Sequence, residues 1–179
     1  MKVFRFDDIS INTDMKTVNK MTDFLLENFE GCKVIWAVSP LVCSSEKESQ
    51  RVFPSIYNAH SNKNVFYGVD SLGIPQLRKD VTLAGHGLIH VDHRLLDGDA
   101  QEMSILTSCN LVGAKIFVPP FNKYNGTTTN ICFFNNIELI KWEEGWVCMD
   151  YEKWDGNIDK WYIHNNAFTF ESFIQYFLK

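Results

Sequence analysis

Four short segments of the chain carry side chains suited to metal or acid–base chemistry: Asp7–Asp8, His86 with His90, the run Phe117 to Asn125, and His164. Adjacent carboxylates on an extended chain point to opposite sides, so at a strand end one can hold a metal while the other faces a substrate. His86 and His90 are four residues apart and share a face if the segment is helical, where their imidazoles can ligate one ion. His93, three residues further on, could replace either, although Asp92 and His93 are expected outside the ligand set. One carboxylate and two imidazoles leave positions open for water and substrate. That pattern suits catalytic Zn²⁺, with Co²⁺, Ni²⁺ or Fe²⁺ as substitutes. Such an ion lowers the pKa of its water toward about 7 and polarises a carbonyl, and the spare aspartate can take the water's proton.

Within the third segment Pro119 and Pro120 have no N–H, so Phe121 offers the first free backbone donor on a rigid chain. A fixed N–H there can serve as an oxyanion donor. Asn122 and Asn125 could bind sugar hydroxyls. His164 closes a strand and could protonate a leaving amine. Trp142, Trp146 and Trp154 lie in a late, loop-rich stretch and suit either a sugar platform or core packing. Each segment also has a purely structural reading: solvated acids, a rigid turn, a surface histidine.

The elements that must position these groups alternate. Strands are expected at Lys2 to Phe6, Lys33 to Val38, Val65 to Val69, Val81 to Ala84, Lys115 to Val118, Ile137 to Trp142 and Trp161 to His164. Helices are expected at Met15 to Phe29, Asp99 to Leu111 and Thr127 to Phe134, followed by one capped by Thr169 with Phe168 and Phe173 as a hydrophobic staple. Such alternation predicts a parallel sheet or barrel. Asp7–Asp8, His86, Pro119–Pro120 and His164 each fall just after an expected strand, and in parallel α/β folds those ends form the active face. The polar stretch from Ser39 to Asn64 reads as a mobile insertion or cap, with a short helix at Glu46 to Phe53.

With 179 residues, the chain suits a single unit over 1–179. Its net charge of −5 argues against nucleic acid as a partner. No apolar run approaches the roughly 20 residues of a membrane span. The start MKVFRFDD has no apolar h-region, so no signal peptide is expected. The 5 cysteines (Cys32, Cys43, Cys109, Cys132, Cys148) are odd in number and form no CxxC pair, which points to reduced thiols in the cytoplasm.

The ordered set Phe6-Asp7-Asp8, His86-x-x-x-His90, Pro119-Pro120-Phe121 and Ile163-His164 resembles the polysaccharide deacetylase (NodB-homology) superfamily. It looks closest to the short cytoplasmic WbmS-like O-antigen proteins, with their PPFNxYN-type third motif. The resemblance implies a distorted or incomplete (β/α) barrel. It also implies metal-dependent removal of an N-acetyl group from a sugar or surface-glycan precursor. It matches Asp7 to the catalytic base, Asp8, His86 and His90 to the metal ligands, the Phe121 N–H to the oxyanion donor and His164 to the acid. Asn122, Asn125, Trp142 and Trp154 are the substrate-binding candidates. The family's second motif usually has Ser or Thr after its first histidine, where this chain has Gly87. Its third motif usually opens with an arginine that orients the base, where this chain has Val118. Arg5, on the strand face of Asp7, and Lys123 are the possible replacements. The family's Asp-Trp motif has only loose candidates in Trp154-Asp155 and Trp142-Glu143. The chain is short for the fold, so the barrel is expected to be open or completed by a partner, such as a second copy.

Two rival readings follow from the same residues. A barrel lacking the bracing arginine could bind metal and glycan without turnover. His90, Asp92 and His164 could instead form the facial triad of a non-haem Fe²⁺ oxygenase, a chemistry usually housed in a β jelly roll.

Overall fold

The structure, a computed structural model, describes residues 1–10, 12–40 and 78–178. The expected helix at Glu46 to Phe53, the strand at Val65 to Val69, Cys43 and the polar stretch beyond Pro40 lie outside the described residues.

Short apolar runs form the strands, and the helices between them return the chain to the same end. The elements are β1 (Val3–Ile9), α1 (Met15–Asn28), β2 (Lys33–Val38), β3 (Thr82–Gly85), α2 (Gly98–Leu111), β4 (Ile116–Phe117), α3 (Gly126–Phe134), β5 (Glu138–Leu139), β6 (Val147–Cys148), β7 (Lys160–His164) and α4 (Phe170–Phe177). They build one seven-stranded sheet in the order β5-β4-β3-β2-β1-β7-β6. Every pairing in it is parallel. Among the described residues the sheet curls into a half-barrel with β5 and β6 as its end strands, as the alternation of strands and helices predicts. An all-parallel sheet also excludes the jelly roll that the oxygenase reading needs.

The pleat sorts β1 into two faces. Phe4 and Phe6 join Val18, Met21 and Leu25 of α1 and Phe173 of α4 in the cluster beneath the helices. Arg5 and Asp7 face the hollow side, which is filled by Ile35, Ala37, Ala84, Val118, Trp146 and Tyr162. Trp146 comes from the segment joining β5 to β6 and is buried in this hollow-side cluster.

Local chemistry starts each helix. Asp14 accepts from the amides of Lys16 and Thr17 at the head of α1, and Thr169 accepts from Ser172 at the head of α4. The expected staple forms, with the Phe168 and Phe173 rings 6.1 Å apart. Trp36 Nε1 donates to Thr22 Oγ1 at 3.2 Å and pins α1 to the sheet.

Two expectations change. The strand expected over Ile137 to Trp142 shrinks to β5, because Trp142 enters a 3₁₀ turn that ends at Gly145 in the left-handed region. β6 was not expected, since two residues carry no periodic signal.

Phe173 is fully buried and meets Phe6, Phe24, Phe168 and Phe177. Phe173→Ala is expected to cost about 3–5 kcal/mol of stability, read as a lower urea midpoint with unchanged slope. A midpoint equal to wild type would contradict this packing.

Candidate active site

The two aspartates reach one site through a break in the pleat. Phe6 is in register with Trp36 of β2, but Ile9, not Asp8, is in register with Val38. One extra residue is therefore inserted in β1, a β-bulge. Asp8 takes the strain with φ +62°, a left-handed conformation that aspartate tolerates better than most side chains. Ile9 then occupies the helix-facing place that Asp8 would have filled. Asp8 instead turns to the C-terminal end of the sheet beside Asp7.

Asp7 is gripped from its own strand. Arg5 Nε donates to Asp7 Oδ1 and Arg5 Nη2 to Asp7 Oδ2, both at 2.7 Å. Arg5 Nη2 also donates to Asn122 Oδ1 at 2.8 Å. The guanidinium lies over the Trp146 and Tyr162 rings, 4.6 and 5.0 Å from their centroids. Of the two replacements weighed for the missing arginine, Arg5 meets Asp7. Lys123 Nζ instead lies 3.6 Å from Asp92. Asn122 is thereby committed to Arg5.

His86 and His90 do not sit on a helix. They lie on a loop of bends after β3, so the helical premise for their shared face is wrong; a glycine turn brings them together instead. Gly87 has φ +78°, and a Cβ there would lie 2.8 Å from the Ile89 carbonyl oxygen and 2.9 Å from His93 Cε1. A Ser or Thr at this position has no room. Bracing comes from other hydroxyls: Ser39 Oγ donates to the His86 carbonyl at 2.8 Å, and Ser104 Oγ accepts the Leu88 amide at 3.0 Å. Ser104 also meets His93 Nε2 at 3.1 Å, while His93 Nδ1 meets the Val91 carbonyl. Burial pushes the His93 imidazole down to about 4, so it is neutral. His93 is a bracing residue and not a replacement ligand.

Asp8, His86 and His90 converge. His90 Nε2 lies 3.0 Å and His86 Nε2 3.2 Å from Asp8 Oδ1. His86 Nδ1 faces the Val118 carbonyl at 2.8 Å and must donate to it. In the neutral ring Nε2 is then a lone pair aimed at a carboxylate oxygen. Two acceptors at that distance call for a cation between them. The donor set of one oxygen and two imidazoles fits a divalent ion such as Zn²⁺, whose tetrahedral ligands at about 2.0–2.2 Å stand about 3.3–3.6 Å apart.

Pro119 and Pro120 lead into a 3₁₀ turn in which Phe121 takes φ +57°. Among the described residues the Phe121 N–H has no backbone partner, whereas those of Asn122 and Lys123 do. The Phe121 ring packs edge-on against His90 at 4.2 Å. His164 ends β7 opposite Asp7, and its Nε2 lies 4.0 Å from Asp8 Oδ2. Its Nδ1 bonds Asp150 Oδ2. That hydrogen bond raises the His164 imidazole above its ordinary value, against the opposing effect of burial.

Asp150 was missed in sequence, where Trp154-Asp155 and Trp142-Glu143 stood only as loose candidates for the resembled Asp-Trp motif. It follows the two-residue strand β6, whose weak signal hid it. Asn125 and Trp154 stand elsewhere. Asn125 caps α3 in a reciprocal box with Thr128. Trp154 packs with Phe4, Phe29, Trp161 and Phe177 on the helix side of the sheet. Trp142 is 42% exposed and leans on Tyr162, which in turn meets His164. Asp92 is tied to Arg94, so His90, Asp92 and His164 make no facial triad.

No protein-family profile matches the sequence, and no curated protein does. Solved structures do match in fold. A family 4 carbohydrate esterase from Streptomyces lividans aligns with TM-score 0.58 and 15% identity, over 98% of this chain and 84% of its own. The peptidoglycan deacetylase PdaC from Bacillus subtilis aligns with TM-score 0.55 and 14% identity, over 97% and 81%. A CE4 family pseudoenzyme from Bacillus anthracis aligns with TM-score 0.55 and 9% identity, over 97% of this chain and 59% of its own. The chain has the NodB-type CE4 fold. Within that fold the four polar segments share the C-terminal strand-end face. None of the described helices is long and apolar enough to cross a membrane.

Gly87→Ser restores the residue type usual in the resembled motif, yet it is expected to destabilise the protein. Left-handed strain alone costs about 1–3 kcal/mol at a non-glycine residue, before any clash. Urea unfolding measures it, and a variant as stable as wild type would contradict the loop geometry.

Proposed function

We propose that the chain is a metal-dependent carbohydrate de-N-acetylase acting on an N-acetylated sugar or surface-glycan precursor. The observation that carries this reading is the convergence of Asp8, His86 and His90 beside an arginine-braced Asp7 and an aspartate-braced His164. The CE4 fold supports it. A divalent cation held by Asp8, His86 and His90, zinc foremost, would polarise the acetamide carbonyl and acidify a water.

The chain's own residues carry the remaining steps. Asp7 accepts a proton from the attacking water, its carboxylate fixed in the plane of the Arg5 fork. The Phe121 N–H donates to the carbonyl oxygen as negative charge develops there. His164 Nε2 delivers a proton to the departing amine while Asp150 holds Nδ1–H, and the raised pKa keeps that proton available. Trp142 offers an apolar face for a sugar ring next to this acid. The non-catalytic alternative draws on the missing arginine, and the contact of Arg5 with Asp7 supports the catalytic reading over it. A WbmS-like role in O-antigen biosynthesis, a cytoplasmic location, residues 1–179 as one unit and a homo-oligomer that completes the open barrel belong to the same proposal.

Acetate release from a panel of N-acetylhexosamine substrates, with metal content measured in parallel, tests it. Asp8→Asn is expected to lose metal and turnover together. Asp7→Asn and His164→Ala keep the cation held by Asp8, His86 and His90 and lose turnover by roughly 10²–10⁴-fold. Because Asp150 raises the pKa of the acid, Asp150→Asn should shift the alkaline fall in activity to lower pH. Wild-type rates in Asp7→Asn and His164→Ala would overturn the mechanism. A bound metal with no turnover on any substrate would favour the glycan-binding reading.

A further inference from the structure

Beyond this centre the structure holds a second cluster of ligand type, in which Cys148, Asp150 and His164 each place one donor atom within 4.8 Å of the others. We propose that these three residues form a separate site for a thiophilic divalent cation such as Zn²⁺, and that filling it shuts off the acid of the first site. Nothing in the reaction proposed above uses Cys148.

The topology builds the cluster. β6 pairs with β7 so that Cys148 stands beside Tyr162, two residues before His164. The chain then turns, with the Tyr151 and Glu152 amides donating to the Cys148 carbonyl, and Asp150 folds back to His164 Nδ1. The result is one sulfur, one oxygen and one nitrogen donor, with a fourth position left for water. Such a set suits Zn²⁺ or Co²⁺ and discriminates against Mg²⁺ and Ca²⁺ by its thiolate. A cavity of about 430 Å³ lined by Trp142, Trp146, Cys148, Tyr151, Glu152 and Tyr162 leads to the thiol. Burial pushes the free thiol up, so it is protonated until a cation arrives. Binding forms bonds to Cys148 Sγ, an Asp150 oxygen and His164 Nδ1. It releases the thiol proton and the proton shared by His164 and Asp150 to solvent.

The two sites are adjacent, with His164 Nε2 4.0 Å from Asp8 Oδ2. An imidazole metallated at Nδ1 holds its Nε2 proton far more tightly than an imidazolium does, so His164 becomes a poor donor to a leaving amine. The inhibitory half of the proposal rests on the deacetylase reading; the binding half does not.

Titration with Co²⁺, followed by the thiolate-to-cobalt charge-transfer absorption, tests binding directly. Wild type should take two equivalents and develop that band. Cys148→Ser should take one equivalent without the band, and His86→Ala should keep the band while losing the other equivalent. In acetate release, excess Zn²⁺ should slow wild type by roughly 10²-fold, the contribution of a general acid, and leave Cys148→Ser far less affected. No band in wild type, or a band surviving in Cys148→Ser, overturns the site. A band without any acetate release upholds the site and fails the deacetylase reading. Equal inhibition of wild type and Cys148→Ser overturns the inhibitory role.

Discussion

Between Phe6 and Ile9, strand β1 carries one residue more than the neighbouring β2, and the candidate site depends on that surplus. In a regular strand Asp8 would point under α1, into the apolar layer, where an unpaired carboxylate is prohibitively costly. The bulge moves Asp8 to the sheet end and gives its former place to Ile9. Two consecutive carboxylates then share one face while serving different partners: Asp7 a guanidinium and Asp8 two imidazoles. The left-handed backbone at Asp8 is the local cost, and the paired strands on both sides hold it in place.

The second constraint is charge. Arg5 is fully buried, and the pair it makes with Asp7 has almost no solvent around it. Such a pair contributes little net stability, yet removing one partner costs several kcal/mol because the other charge is stranded. Its value lies in orientation. The fork fixes the carboxylate plane, Asn122 ties the fork to the Pro119–Pro120 turn, and the Trp146 and Tyr162 rings cover its faces. Arg5 Nη1 and Trp146 Nε1 are buried without a hydrogen-bond partner among the described residues. These two donors lie on the hollow side of the sheet, where an acceptor from water or substrate would satisfy them.

Much of this was legible in the sequence, for physical reasons. Strand ends followed by polar residues marked the face of the candidate site, since both the alternation of elements and the apolar runs survive folding. α1 formed where its apolar stripe placed it, although its C-cap is Phe29 and not Gly31, and α4 formed behind the expected Thr169 cap and Phe168–Phe173 staple. Arg5 was visible through the period-two relation to Asp7. Hidden were the features that depend on tertiary closure. The His86 to His90 segment had the spacing of a helix, but Gly87 in the left-handed region and crowding by His93 and Pro120 make it a loop. Asp150 followed a strand too short to announce itself. Asn125 and Trp154 looked like sugar ligands because helix capping and aromatic packing use the same residue types as carbohydrate binding.

The central claim is that Asp8, His86 and His90 hold one divalent cation. An anomalous-scattering map from crystals grown with stoichiometric Zn²⁺, recorded on both sides of the zinc edge, tests it most directly. The account predicts a strong peak with Asp8 Oδ1, His86 Nε2 and His90 Nε2 at about 2.0–2.2 Å, distinct from any peak at Cys148. The same crystals showing no peak there, with the three side chains directly hydrogen-bonded to one another, would contradict it.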